Sequence, residues 1–157
     1  MNKIVINTGP IIALGRMGIS QIIAKLPYEF VSPLKVKAEI ETGLRIGHEI
    51  ELPKWIDFLK LDPPVSRTAL ANLDLGEAAV VELALQKDIK IVCIDETKGR
   101  KAAINSGLKI SGSLGLLAKA KSLNLIEKVH DYIAIAQTGG IYYDETLIEK
   151  FLNSVGE

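Results

Sequence analysis

Short runs of branched apolar residues alternate with helical segments along this chain. Ile4-Val5-Ile6 and Ile91-Val92-Cys93-Ile94, the end of a run that starts at Ile89, are continuous rather than alternating, which is typical of strands buried on both faces. Helical patterns separate the runs, and no turn of the Asn-Gly kind joins two of them as a hairpin. This order predicts an α/β fold with a central parallel sheet between two layers of helices.

The ends of the predicted elements follow from apolar periodicity and from Pro and Gly positions. Strands are predicted at Ile4–Ile6, in a run ending at Phe30-Val31, near 57–61, at 89–94 and at Lys109-Ile110. The stretch 44–63 fits a strand or a helix, and we favour the strand. Helices are predicted from Asn7 or Thr8 with breaks at Gly15 and Gly18, from Ser20 to about Leu26, from Pro33 through Ile40 with a stop near Gly43, from Gly76 to Gln86, from about Thr97 to Asn105, and at about 113–121, 126–137 and 145–154.

Size and charge narrow the class of protein. A chain of 157 residues predicts one domain, 1–157. The 19 basic and 19 acidic residues cancel, so any nucleic-acid contact is expected to be local. The lone Cys93 excludes an intramolecular disulfide and a Cys-based zinc cluster, and it fits a reducing compartment. With no apolar run of ~18 residues, we expect a cytoplasmic protein without membrane contact.

Common catalytic signatures are absent from the sequence. There is no G-x-x-x-x-G-K-[ST] phosphate loop, no G-x-G-x-x-G dinucleotide fingerprint and no G-x-S-x-G nucleophile elbow. The chemistry must therefore come from other polar residues.

Acidic and amide side chains stand where an α/β sheet binds ligands, at the carboxyl ends of its strands. Asn7 follows the first strand, and Asp95 follows the strand that ends at Ile94. Glu77 lies in the first turn of the helix before that strand, and Glu39 lies on the helix after Phe30-Val31.

Each of these residues also has a purely structural interpretation. Asp74-x-x-Glu77 resembles a capping box, and Asn7 and Asp95 are good N-cap residues. Glu39 fits a solvated helix face. The sequence alone leaves these alternatives open.

Four stretches in this order resemble a known family. They are I-V-I-N-T-G-P-I-I-A-L, P-L-K-V-K-A-E-I, L-G-E-A-A-V-V-E-L-A-L and I-V-C-I-D-E-T-K-G-R-K-A-A. The chain resembles the PIN domains, metal-dependent ribonucleases that include the toxins of toxin–antitoxin pairs. The later G-L-K-I-S-G-S-L-G-L-L-A-K-A-K is similar to a subgroup with extra C-terminal helices, here about 113–157.

The resemblance implies a three-layer α/β/α fold, often dimeric, and a Mg²⁺ or Mn²⁺ site that hydrolyses RNA with metal-activated water. Glu39, Glu77 and Asp95 match the acidic metal ligands. The first position is normally Asp, whereas this chain has Asn7, an amide that can ligate but carries no charge. Glu96 is a further ligand candidate. The alternatives are a degenerate module that binds RNA without cleaving it, or a toxin-like protein in complex with an antitoxin.

Candidate RNA contacts lie beside these acids. They are Thr8, Lys98, Arg100 and Lys101. From Lys98 to Lys128 the chain carries seven basic residues and one acidic residue, which suits phosphate binding. The same lysines also suit solvated helix faces.

Overall fold

The computed structural model of the chain describes residues 2–45, 51–64 and 73–157. Within them, five parallel strands form one sheet in the order β3-β2-β1-β4-β5. The strands are β1 (Asn2–Ile6), β2 (Tyr28–Pro33), β3 (Ile56–Leu59), β4 (Ile91–Cys93) and β5 (Lys109–Ser111). The helices are α1 (Thr8–Arg16), α2 (Ser20–Ile23), α3 (Leu34–Arg45), α4 (Leu75–Gln86), α5 (Thr97–Asn105), α6 (Ser113–Ser122), α7 (His130–Thr138) and α8 (Glu145–Ser154).

The central strand β1 organises the core. Ile4, Val5 and Ile6 are all buried because β1 pairs with β2 on one side and with β4 on the other, while helices cover the sheet. The predicted parallel α/β architecture is confirmed.

Helices pack around the sheet in groups. The helix α4 contacts β1, β2 and β4, and it lies beside α5. A second group is formed by α1, which contacts α6 and α7. The helix α3 contacts both α1 and α4, so it links these two groups. None of the helices within the described ranges is long and apolar enough to cross a bilayer.

Several predicted boundaries were wrong near the first helices. Gly15 lies inside α1, and the chain turns at Gly18, which adopts a left-handed φ of 71°. The helix α2 ends at Ile23 instead of Leu26, because the next residues form tighter turns such as Lys25 N–H to Ile22 O. The helix α3 also runs past the predicted stop to Arg45.

Tertiary pairing explains the other differences. Pro33 ends β2 rather than beginning the helix, and it pairs in register with Leu59, the last residue of β3. The strand predicted near 57–61 lies at Ile56–Leu59, so it starts one residue earlier and ends two residues earlier than predicted. The part of the 44–63 prediction that falls on 46–50 lies outside the described residues. The helix predicted at 126–137 begins later, at His130.

Candidate functional site

The sheet reverses its strand order between β1 and β4, and ligands of open α/β folds bind at such a reversal. Asn7 leaves β1 at this point, and its backbone N–H donates to the Cys93 carbonyl, the last residue of β4, at 3.0 Å. Asp95 leaves β4 two residues later. The structure therefore brings these two predicted site residues to one edge of the sheet.

The Asn7 side chain does not cap α1. Asn7 occupies the N-cap position, but its side chain makes no capping hydrogen bond. The residue is 7% exposed, and its Oδ1 atom is buried with no hydrogen-bond partner among the described residues. A buried acceptor without a partner is costly, so the capping interpretation does not account for this side chain.

Glu39 is held between α1 and α4 rather than solvated on a helix face. Thr8 Oγ1 donates to Glu39 Oε2 at 2.6 Å. The other oxygen, Oε1, lies so close to Gly76 that a Cβ there would be 2.5 Å away. Gly76 thus admits the carboxylate to the first turn of α4, next to Glu77.

Glu77 is buried, and none of the salt bridges in the described ranges involves its carboxylate. Asp74 caps α4 by accepting from the Glu77 N–H at 2.7 Å, which confirms the predicted cap. The Glu77 side chain lies against Gly99, and its Oε2 is buried with no partner in the described part of the chain. Burial, together with the nearby carboxylates Asp74 and Glu96, raises the pKa of Glu77 from 4.5 to about 8.

Asp95 is held at the start of α6. Its Oδ1 accepts from the Ser113 backbone N–H and its Oδ2 from the Ser113 hydroxyl, both at 2.8 Å. Burial raises the pKa of Asp95, while Ser113 and the Arg100 guanidinium lower it in part. The Ser113 hydroxyl also contacts the Tyr143 hydroxyl at 2.6 Å. Burial raises the pKa of Tyr143 to about 12, so this hydroxyl keeps its proton at neutral pH.

The flanking charged residues occupy different positions. Arg100 Nη1 donates to the carbonyls of Ile94 at 2.9 Å and Ser111 at 3.4 Å, so this guanidinium ties the ends of β4 and β5 together. Lys98 and Lys101 are exposed on α5. Glu96 is exposed at the N-cap of α5, and its negative charge contributes to the raised pKa of Glu77.

Comparison with known proteins identifies the family. A family model described as a PIN domain matches residues 3–157. The chain belongs to the PIN-domain family. No curated protein sequence matches the chain. The predicted family is therefore confirmed. PIN domains are generally nucleases and typically depend on divalent metal ions.

The side chains of this PIN domain fit a hard cation, although they are not gathered as a ready cluster. In residues 2–45, 51–64 and 73–157, no three His, Cys, Asp or Glu side chains approach closely enough to hold a metal ion. The two orphaned buried oxygens, Asn7 Oδ1 and Glu77 Oε2, are acceptor atoms of the kind that Mg²⁺ and Mn²⁺ prefer. Glu39 and Asp95 each keep unused lone pairs beside their Thr8 and Ser113 bonds.

Five residues that the sequence did not single out shape this PIN site. Gly76, Gly99 and Gly112 admit Glu39, Glu77 and Asp95, because a Cβ at each glycine would meet the carboxylate. Ser113 and Tyr143 bind the Asp95 end. The G-S-L-G stretch at 112–115 is not a G-x-S-x-G elbow and otherwise shows only the family resemblance, and no local signal connects Tyr143 to Asp95.

Proposed function

We propose that this PIN domain is a Mg²⁺- or Mn²⁺-dependent, toxin-like endoribonuclease. In this proposal Glu39, Glu77 and Asp95 are the charged metal ligands, and Asn7 is a weakened fourth. The observation that carries it is the pair of buried oxygens without partners, Asn7 Oδ1 and Glu77 Oε2. Both oxygens belong to residues at the strand-order reversal or on the helix packed beside it.

The electrostatics of Glu77 support a cation at this position. A carboxylate that is buried beside Asp74 and Glu96 is disfavoured in its charged form, as its pKa of about 8 reflects. A divalent cation removes this penalty by supplying the missing opposite charge. Metal binding and ionisation of Glu77 are therefore expected to occur together.

The residues have distinct roles in the proposed reaction. A bound divalent cation supplies activation of water and neutralisation of phosphate charge. Glu77, Glu39 and Asp95 provide negative oxygens for it, and Ser113 fixes the orientation of Asp95. Thr8 orients Glu39. Lys98 and Lys101, which are exposed on α5, attract the phosphates of the RNA. Arg100 stabilises the ends of β4 and β5 by its hydrogen bonds to Ile94 O and Ser111 O. Glu96 adds a negative charge near Glu77. No covalent enzyme intermediate is needed.

The deciding experiment is the substitution Asn7→Asp. It restores a charged oxygen with almost no change in shape, so it should tighten Mn²⁺ binding and raise the Mn²⁺-induced increase in Tm. We expect weak or absent cleavage of a fluorescent single-stranded RNA by the wild type. The Asn7→Asp variant should be at least about tenfold faster, which requires ~1.4 kcal/mol of added transition-state stabilisation.

Two controls accompany this experiment. The double variant Asn7→Asp/Asp95→Asn should lose both the faster cleavage and most of the Mn²⁺ shift. Glu29→Gln removes a half-exposed charge near the start of β2, at the opposite edge of the sheet, and should change neither. Vigorous wild-type cleavage that Asn7→Asp leaves unchanged would show that Asn7 is not a missing ligand.

The second candidate is a PIN module that binds RNA or an antitoxin-like protein without cleaving it. The neutral Asn7 and the lack of a gathered carboxylate triad among the described residues favour it. This candidate would be supported if neither the wild type nor any variant cleaved the RNA and Mn²⁺ did not raise the Tm. Copurification of a small partner from a native operon would test the antitoxin, and light scattering would test the expected homodimer. A cytoplasmic location and a single domain over 1–157 also remain proposals.

A further inference from the structure

The C-terminal part of the chain reaches the proposed site through one side chain. Tyr143 lies between α7 and α8, is 7% exposed, and places its hydroxyl 2.6 Å from Ser113 Oγ. Ser113 in turn holds both oxygens of Asp95. Asp95 is thus joined by hydrogen bonds to a residue 48 positions later in the sequence.

Proton counting gives these bonds a direction. A serine hydroxyl has one proton, and the geometry assigns it to Asp95 Oδ2, because a carboxylate only accepts. Ser113 Oγ must then accept from Tyr143, so the proton order runs from Tyr143 to Ser113 to Asp95. In this order Tyr143 fixes the rotation of the Ser113 hydroxyl.

Local structure holds Tyr143 in place on both sides. Gly140 has a left-handed φ of 89° and turns the chain after α7, where the Ile141 N–H donates to Ala136 O at 2.9 Å. On the other side, Asp144 caps α8 by accepting from the Leu147 N–H at 3.1 Å. The neighbouring Tyr142 is 83% exposed, so only one of the two tyrosines is directed inward.

We propose that Tyr143 is a positioning residue, which acts through Ser113 to hold Asp95 in the orientation used for metal binding. This inference extends the proposed function, since its role depends on Asp95 being a ligand. Groups that orient metal ligands typically contribute 10–100-fold to metal affinity, so the loss of one hydroxyl here should be measurable.

The test compares Tyr143→Phe with Tyr142→Phe in the full chain. Both substitutions remove one hydroxyl from adjacent tyrosines, but only the first removes a bond in the series. In metal-free protein, amide hydrogen exchange should become about tenfold faster at the Ser113 N–H, which donates to Asp95, in Tyr143→Phe alone. Exchange at the Ile94 N–H, which donates to Ser111 O, reports on the surrounding sheet and should stay unchanged.

Mn²⁺ titration calorimetry provides the second measurement. Tyr143→Phe should weaken Mn²⁺ binding by at least about tenfold, and Tyr142→Phe should leave it unchanged. If Tyr143→Phe fails to fold, Tyr143→Met also removes the hydroxyl while leaving both bonds between Ser113 and Asp95, and both measurements apply to it.

The outcomes separate this inference from the proposed nuclease. Unchanged exchange at Ser113 in Tyr143→Phe would overturn the positioning role, and so would equal acceleration at Ser113 and Ile94, which indicates a general loss of stability. Selective acceleration at Ser113 in a protein that binds no Mn²⁺ would show that Tyr143 orients Ser113, but it would refute both the use of this orientation in metal binding and the metal-dependent nuclease. Unchanged exchange in a protein that does bind Mn²⁺ would refute the positioning role alone.

Discussion

Glu77 should make the metal-free PIN domain less stable as the pH rises. Its pKa is about 8 in the folded chain and 4.5 as an ordinary glutamate. Below pH 4.5 the residue is protonated in both the folded and the unfolded state, so its ionisation does not change the free energy of unfolding. Between these two values the unfolded chain ionises first, so stability is lost as the pH rises through about 8.

The size of this loss follows from the pKa difference. Since one pH unit of difference corresponds to about 1.4 kcal/mol, Glu77 should destabilise the folded state by about 3 kcal/mol at pH 7 and 4–5 kcal/mol at pH 9. Glu77→Gln keeps the shape and removes the charge. We therefore expect this variant to be more stable than the wild type at pH 7 and 9, and equal to it at pH 4.

Urea unfolding in a chelating buffer at pH 4, 7 and 9 measures this difference. Glu29→Gln is the matched control, because it removes a half-exposed carboxylate near the start of β2. Millimolar Mn²⁺ should stabilise the wild type and reverse the advantage of Glu77→Gln. Equal or lower stability of Glu77→Gln at pH 9 without metal would refute the argument that burial and the neighbouring carboxylates disfavour the charged form of Glu77.

Two further substitutions test contacts around the site and the C-terminus. Gly112→Ala should destabilise the fold by roughly 1–3 kcal/mol in urea unfolding, because its Cβ would lie 2.6 Å from Asp95 Oδ1 and 2.9 Å from Arg100 Nη1; Gly9→Ala, where a Cβ meets nothing within 4 Å, is the control and should not destabilise. Glu157→Gln should lower stability by about 1–2 kcal/mol at pH 7, because the carboxylate accepts from Val129 N, His130 N and Lys121 Nζ. Those donors hold the pKa of Glu157 at about 2, so the advantage of the wild type should fade as the pH falls from 4.5 through 2. Glu149→Gln, which removes an exposed carboxylate from α8, is the control.

The architecture could be predicted because its information is local. Buried strands such as Ile4–Ile6 are continuous apolar runs, and helix caps such as Asp74 act within four residues. Boundaries set by distant residues could not be predicted in this way. The helix α7 begins at His130 because the Glu157 carboxylate accepts from the Val129 and His130 N–H groups, and this partner is 27 residues further along the chain.

The site divides in the same way between local and distant information. Asn7 and Asp95 could be placed together because parallel strands end at one edge of a sheet. The capping and solvent alternatives for Asn7 and Glu39 could be decided only by tertiary contacts, since an orphaned Oδ1 and a Thr8 bond have no local sequence signal. Tyr143 was missed for the same reason.

Changes of charge at Asn7 and at Glu77 are expected to alter the stability of this PIN domain with opposite signs. An aspartate at position 7 would add a second charge on a buried side chain, and none of the salt bridges among the described residues involves position 7 or Glu77. Asn7→Asp should therefore destabilise the metal-free protein, whereas Glu77→Gln should stabilise it. With Mn²⁺ present we expect the opposite changes in stability, because an added negative oxygen strengthens binding of the cation and the loss of one weakens it. A single cation position served by both residues further predicts that the two effects in Mn²⁺ are not additive in the double variant Asn7→Asp/Glu77→Gln, whereas two independent sites predict additive effects.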